Sequence, residues 1–148
     1  MTQLETHSVR LERTINAPLA KVRQALIDPA VLVQWYAPGD MTATVHACDA
    51  RVGGQFEIAM HGKDPHGEVS THTAHGEFTR VDDDVVAMTF NWTEHEMPGM
   101  TEVRYDLSEV DGATRLVLTH TGLPTRELAQ NHEEGWTGCL AKLPGACE

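Results

Sequence analysis

Two histidines lie where the hydrophobic pattern of the sequence points inward. His120 continues the alternating apolar row of Leu116 and Leu118, and His132 precedes Trp136 by one turn on a helical stripe. Because imidazole titrates near neutral pH, this pair could orient a ligand or exchange protons with it. Buried histidines with satisfied hydrogen bonds explain the same pattern. No accompanying set of nucleophile, base and orienting residue is visible, so we assign no catalytic residue.

One charged residue interrupts the apolar row of the first predicted strand. Arg13 is in register with Val9, Leu11 and Ile15. A charge on a core-facing row needs a partner. That partner is either a carboxylate such as Glu77 or an anionic group of a ligand, and the sequence leaves both open.

The nine histidines raise the question of a metal site. His72 and His75 are three residues apart, and on a strand this spacing directs them to opposite faces. No HExxH motif and no HxH pair occurs. His61 and His66 could still meet them across a hairpin. We expect neither a bound metal nor a cofactor.

The cysteines and a glycine-rich element have structural explanations. Cys139 and Cys147 are separated by roughly 12 Å of rise on a continuous helix, too far for a disulfide. We expect them to be small buried hydrophobic residues. In the D-x-R-x-G-G element, which spans residues 49–54, the two glycines permit a tight turn and Asp49 can pair with Arg51.

Composition excludes several classes of function. The chain has 148 residues with 22 Asp and Glu against 11 Lys and Arg, a net charge of −11. Such a chain repels nucleic acid and anionic lipid, because both are bound by neutralising phosphates. No apolar run approaches the roughly 20 residues of a membrane span, and no secretory signal is visible at residues 1–7. We expect one cytoplasmic domain over residues 1–148.

Hydrophobic periodicity predicts the elements that must position these residues. A strand over residues 8–15 is followed by two short helices, which meet at Asp28-Pro29 with Asp28 as N-cap. A long helix begins after Thr125 and ends at Pro144-Gly145. A loop is expected over residues 62–67. Six strands are expected between the short helices and the long one, over residues 41–49, 55–61, 70–81, 86–92, 103–107 and 116–120.

This order favours an α+β architecture, an antiparallel sheet with one face covered by helices. A long helix across a curved sheet leaves a cavity unless large side chains fill it, and the chain has only eight aromatic residues. The flexible side chains of Met60 and Met88 suit either an adaptable cavity or an ordinary core.

Several short motifs, in this order and spacing, resemble a known family over residues 8–143. They are Arg13–Pro18, Asp28-Pro29, Trp35–Pro38, Asp49–Phe56, and Glu134–Trp136 followed by Leu140 and Leu143. Together they are similar to the activator of heat-shock-protein ATPase homologue (AHSA-type) family of the START-like, or SRPBCC, superfamily. The resemblance implies the helix-grip fold, a curved sheet around a long C-terminal helix with a hydrophobic cavity between them. Relatives often extend that helix further than Leu143.

The family resemblance does not select one function. The leading hypothesis is a cytoplasmic protein that binds a hydrophobic or aromatic small molecule in the cavity. The alternatives are a cyclase- or hydrolase-like enzyme that uses cavity histidines, and a chaperone co-regulator or protein-interaction module. A homodimer is left open. The expected ligand contacts are Arg13, Trp35, Met60, Phe78, Met88, Phe90, Trp92, Tyr105, Leu118, His120, His132 and Trp136.

Overall fold

The secondary structure follows the order that periodicity predicts. The computed structural model describes residues 6–63 and 67–148, so residues 64–66 of the expected loop, His66 among them, and residues 1–5 of the N-terminal segment lie outside the described residues. The elements are β1 (His7–Ile15), α1 (Leu19–Ile27), α2 (Pro29–Trp35), β2 (Thr42–Cys48), β3 (Gln55–Lys63), β4 (Val69–Val81), β5 (Val85–Trp92), β6 (Thr101–Val110), β7 (Ala113–Leu123) and α3 (Arg126–Ala146).

The described strands form one curved antiparallel sheet in the order β1-β7-β6-β5-β4-β3-β2. Strands β2 to β7 are consecutive neighbours, and β1 pairs with β7 in antiparallel register, Leu11 opposite Leu118. The helices pack on the inner face of the sheet, where the buried side chains of β5, β6 and β7 form the core. This arrangement confirms the α+β helix-grip fold.

The two short helices meet at a proline, as the sequence predicts. The backbone N–H of Ala30 donates to Asp28 Oδ1 at 3.0 Å, and Pro29 occupies the first turn of α2, where a missing N–H costs nothing. The indole Nε1–H of Trp35 donates to the carbonyl oxygen of Ala25 at 2.8 Å. Trp35 is fully buried, so this bond satisfies its indole N–H and links α2 to α1.

The turn between β2 and β3 confirms the structural explanation of the glycine-rich element. Arg51 Nε donates to Asp49 Oδ2 at 2.8 Å. Gly53 has a φ of +87°, and a Cβ at Gly54 would lie 1.9 Å from the carbonyl oxygen of Asp49. Glycine is therefore required at both positions.

The long helix begins where the sequence predicts and ends later. Thr125 Oγ1 accepts the backbone N–H of Leu128 at 3.1 Å, which confirms the N-cap. The predicted end at Pro144-Gly145 is wrong, because α3 continues to Ala146 with Pro144 inside it. Proline removes one N–H from the last turn. The N–H of Cys147 still reaches the carbonyl oxygen of Leu143 at 3.2 Å, and both residues are buried in the core.

Candidate functional site

A cavity of about 330 Å³ lies between α3 and the inner face of the sheet, beside the segment that joins α2 to β2. Its volume is at the lower end of the range for small-molecule sites, about 300–1,000 Å³. Most of its wall is aromatic or aliphatic. The lining residues are Tyr36, Pro38, Met41, Met60, His72, Phe90, Trp92, His95, Leu128, Asn131, His132, Glu134, Gly135, Trp136 and Cys139.

The structure brings five of the residues expected to contact a ligand together on this wall. They are Met60, Phe90, Trp92, His132 and Trp136. Six others are buried in the core and do not line the cavity, namely Trp35, Phe78, Met88, Tyr105, Leu118 and His120. His120 acts on the wall indirectly, through Trp136.

Arg13 lies away from the cavity. Its side chain is half-buried on β1, with Leu116 as its cross-strand partner. The guanidinium Nη1 donates to the carbonyl oxygen of Glu12 at 2.8 Å. Glu77, the carboxylate that the sequence offered as a partner, lies on β4, four strands away across the sheet. The partner of Arg13 is therefore a neighbouring backbone carbonyl, not a carboxylate or an anionic group of a ligand.

His132 is hydrogen-bonded at both ring nitrogens. Its Nε2 accepts the indole Nε1–H of Trp92 at 2.9 Å, and its Nδ1 lies 2.6 Å from the carbonyl oxygen of Leu128. An indole N–H only donates and a carbonyl only accepts. The ring is therefore the neutral tautomer with its proton on Nδ1.

His120 forms a second histidine–tryptophan pair, which lies next to the first and deeper in the core. Its Nδ1 accepts the indole Nε1–H of Trp136 at 3.1 Å, and its Nε2 lies 2.7 Å from the hydroxyl of Thr101. That hydroxyl donates its own proton to the carbonyl oxygen of Phe90 at 2.7 Å. His120 therefore donates from Nε2 and is also neutral. The two imidazole rings lie 5.0 Å apart and nearly perpendicular.

Burial holds both imidazoles in the neutral form. It lowers the pKa of His120 to about 3, and the nearby His132 adds to this shift. Burial also lowers the pKa of His132, against the opposing effect of its hydrogen bond to the Leu128 carbonyl. Because all four ring nitrogens are occupied, neither histidine has a free atom for proton transfer. Their geometry supports the structural explanation, in which they hold Trp92 and Trp136 in place.

Tyr36 is a cavity residue that sequence analysis missed. The residue is only 4% exposed, and its hydroxyl has no hydrogen-bond partner among the described residues. Its ring packs edge-on against Trp136 at 5.5 Å. The spacing of Leu32, Trp35 and Tyr36 is that of an ordinary packing face on a short helix. The signal that could have found it is its position just before Pro38-Gly39, where the chain turns toward α3.

The segment that joins α2 to β2 is fastened to α3. Lys142 Nζ donates to the carbonyl oxygens of Ala37 and Met41 at 2.6 and 3.3 Å. At Gly138 a Cβ would lie 2.6 Å from Pro38 Cβ. A lysine and a glycine on one helix thus hold the wall that contains Tyr36, Pro38 and Met41.

Polar side chains of β4 and of the β5–β6 loop form the rim of the cavity. The rings of His72 and His95 lie 5.3 Å apart, and His72 Nε2 is 2.8 Å from Ser70 Oγ. As the strand spacing predicts, His72 and His75 face opposite sides of the sheet. His72 lines the cavity, whereas His75 lies in a groove with Glu57 and other outer-face residues. No group of three or more metal-ligating side chains occurs within residues 6–63 and 67–148.

The sheet, the gripped helix and the cavity between them define a helix-grip protein. Residues 16–148 match the family described as "Activator of Hsp90 ATPase homolog 1-like protein", and the chain belongs to this family. This confirms the resemblance drawn from the short motifs.

Solved structures of the same fold come from several bacteria. Protein CV1439 from Chromobacterium violaceum is 25% identical with a TM-score of 0.85, over 95% of this chain and 96% of that one. The AHSA1 protein from Silicibacter pomeroyi is 27% identical with a TM-score of 0.78, over 94% and 96% of the two chains. Protein Ms6760 from Mycobacterium smegmatis is 22% identical with a TM-score of 0.77, over 98% and 90%. No curated protein matches the chain. In the part of the chain that the structure describes, no helix has the length and apolar character to cross a membrane.

Proposed function

We propose that this protein binds an uncharged aromatic or hydrophobic small molecule in the cavity between α3 and the sheet. The observation that carries the proposal is the cavity wall itself, which places Phe90, Trp92 and Trp136 around about 330 Å³ of space. The two histidine–tryptophan pairs fix two of these rings in advance, so a ligand does not have to order them.

The hydrophobic effect supplies the affinity. Each 100 Å² of apolar ligand surface removed from water contributes about 2.5 kcal/mol. Ring faces of a bound aromatic molecule would also meet the edges and faces of the wall aromatics, which adds specific geometry. Two or three fused rings are the size of ligand that this volume favours.

The charge of the lining supports an uncharged ligand. Among the described residues, the cavity is lined by no lysine or arginine, and Glu134 on the exposed rim is a carboxylate. An anionic ligand would lose its hydration without gaining a lysine or arginine partner, which is costly.

A filled cavity provides the test. Gly135 lies on the wall, and a Cβ there meets no atom within 4 Å. The variant Gly135→Phe adds a large side chain at this wall, and its Cβ meets no neighbouring atom. We expect it to weaken binding of the uncharged fluorescent probe N-phenyl-1-naphthylamine about tenfold or more, which corresponds to about 1.4 kcal/mol.

The matched control is Gly145→Phe. Gly145 also lies on α3 with no atom within 4 Å of its Cβ, and it does not line the cavity. This control should bind the probe as the parent protein does, and both variants should keep the parent melting temperature or exceed it. Equal probe affinity in all three proteins would overturn the proposal, as would no binding to the folded parent.

The description of the family names an activator of the Hsp90 ATPase. A chaperone partner, a homodimer, an enzymatic reaction and a cytoplasmic location stay predictions for this chain. The occupied ring nitrogens of His120 and His132 give the enzyme hypothesis no support.

A further inference from the structure

Strand β2 forms one edge of the described sheet, with a neighbouring strand on one side only. None of its residues is buried, and the side chains of Thr44 and His46 are exposed. Its pairing with β3 is regular from Thr42 to Val45 and shifts register after Val45. The regular edge that a further strand could join is therefore Thr42–Val45.

The backbone of Thr73 shows the direction in which the inner strands make their hydrogen bonds. Thr73 lies on β4, between β3 and β5. Its N–H donates to Glu94 Oε1 at 2.6 Å, and its carbonyl oxygen accepts the N–H of Thr93 at 2.9 Å. Both partners directly follow β5, so Thr73 bonds away from β3. In an antiparallel ladder such positions alternate with hydrogen-bonded pairs, so Ala59, which lies opposite Thr73, bonds toward β2.

On β2, alternate residues therefore face the open edge. Ala59 lies opposite Thr44, so the backbone of Thr44 bonds inward to β3. Ala43 and Val45 then point their N–H and carbonyl groups out of the sheet. Within residues 6–63 and 67–148 these groups have no hydrogen-bond partner. They are the groups to which a further strand would bond.

The absence of charge distinguishes this edge from the opposite one. Of the seven described strands, only β2 and β5 contain no Asp, Glu, Lys or Arg, and β5 lies in the middle of the sheet. The opposite edge, β1, carries Arg10, Glu12 and Arg13. Charged side chains are one means by which edge strands are kept from pairing with other chains. Strand β2 lacks them.

We propose that two copies of this protein pair antiparallel through the Thr42–Val45 edge of β2 and form a symmetric dimer. A second copy suits this edge because it presents an equally uncharged strand, whereas the net charge of −11 makes other contacts between copies repulsive. A two-fold axis beside Thr44 places Ala43 of each copy opposite Val45 of the other, so that the outward groups meet in hydrogen-bonded pairs. The two Thr44 side chains then face each other. This inference does not depend on the proposed ligand.

Sedimentation velocity from micromolar to sub-millimolar protein concentration tests the inference. We expect a dimer with a Kd of about 10–100 µM, because pairing of strand edges alone buries less than the standard interface of about 1,600 Å². Thr44→Lys places two ammonium groups opposite each other and should weaken the dimer about tenfold or more.

The matched control is Thr71→Lys. The hydroxyls of Thr71 and Thr44 both lie 3.2 Å from a ring nitrogen of His61, and both threonines are exposed. The two variants therefore lose an equivalent contact and gain the same charge. Thr71 lies on β4, away from the edge, so Thr71→Lys should form the dimer as the parent protein does.

A second variant and a second readout locate the interface. Ala43→Pro removes an outward N–H without breaking a bond to β3, and it should be a folded monomer. Amide hydrogen exchange at Ala43 and Val45 should slow with rising protein concentration in the parent and in Thr71→Lys, but not in Thr44→Lys. A parent that stays monomeric throughout would overturn the proposal. So would a dimer that persists unchanged in Thr44→Lys and Ala43→Pro, because it would have to form through another surface.

Discussion

At the scale of single residues, the two histidines provide hydrogen-bond acceptors for two buried tryptophans. An indole N–H can only donate, so a buried tryptophan needs an acceptor nearby. The neutral rings of His120 and His132 supply that acceptor to Trp136 and Trp92, while the protonated nitrogen of each ring donates a hydrogen bond to another group. Protonation of either imidazole would turn the acceptor into a donor and break the pair.

This arrangement predicts that the protein loses stability in mild acid. Burial lowers the pKa of His120 to about 3 in the folded protein, against about 6.5 in the unfolded chain, and it also lowers the pKa of His132. Between these pH values the unfolded chain binds protons that the folded protein does not. The stability is therefore fully present above pH 6.5 and declines as the pH falls toward 3, by up to about 1.4 kcal/mol per pH unit for His120. His132 adds a decline in the same direction.

Urea unfolding between pH 7 and pH 5 measures this effect before most carboxylates titrate. The variant His120→Leu should be less stable than the parent at pH 7, because Trp136 loses its acceptor. It should also lose less stability on acidification. An equally steep decline in the variant and the parent would contradict the account of His120.

At the scale of elements, two glycines of α3 set the width of the cavity. One is in close contact with a neighbouring segment, and the other borders open space. Gly138 packs against Pro38 and lets the segment between α2 and β2 approach the helix. Gly135, less than one turn earlier, borders open space on the cavity wall. Gly138 therefore allows close packing on one side of the site, and Gly135 leaves space for a ligand on the other.

A single added methyl group should have opposite effects at these two positions. In Gly138→Ala the new Cβ would lie 2.6 Å from Pro38 Cβ, so the segment must shift and the free energy of unfolding should fall by about 1–3 kcal/mol. In Gly135→Ala the methyl group enters open space. The better helix propensity of alanine should therefore raise the free energy of unfolding by about 0.5–1 kcal/mol. Urea denaturation of both variants checks the prediction. Destabilisation of similar size at both positions would show that Gly138 does not control the approach of the two segments.

The sequence predicts the elements well because the signals that begin them are local. Asp28 followed by Pro29 and Thr125 before α3 act through hydrogen bonds within three residues, and both N-caps are present. Pro144 shows where a local signal fails. Proline disfavours a helix, but buried Leu143 and Cys147 on either side of it hold the last turn against the core. That packing depends on tertiary structure, which the local pattern does not contain.

At the scale of the whole molecule, the cavity depends on where α3 crosses the sheet. Alternation along β5 correctly predicts that Met88, Phe90 and Trp92 share the inner face, but it does not say which of them a helix covers. Met88 is packed in the core, while Phe90 and Trp92 line the cavity. Periodicity also does not place Tyr36 on the cavity wall, because only the turn before Pro38-Gly39 brings it to α3.

The tryptophan side chains offer the most direct measurement of the central claim. The chain has three tryptophans. Trp92 and Trp136 line the cavity, whereas Trp35 is buried elsewhere and bonded to the carbonyl oxygen of Ala25. A two-dimensional ¹H–¹⁵N spectrum resolves one indole signal for each, and a titration with N-phenyl-1-naphthylamine reports on all three at once. We predict that the signals of Trp92 and Trp136 shift together and saturate while that of Trp35 stays in place. A spectrum in which no indole signal moves, or in which only Trp35 responds, would contradict a ligand site between α3 and the sheet.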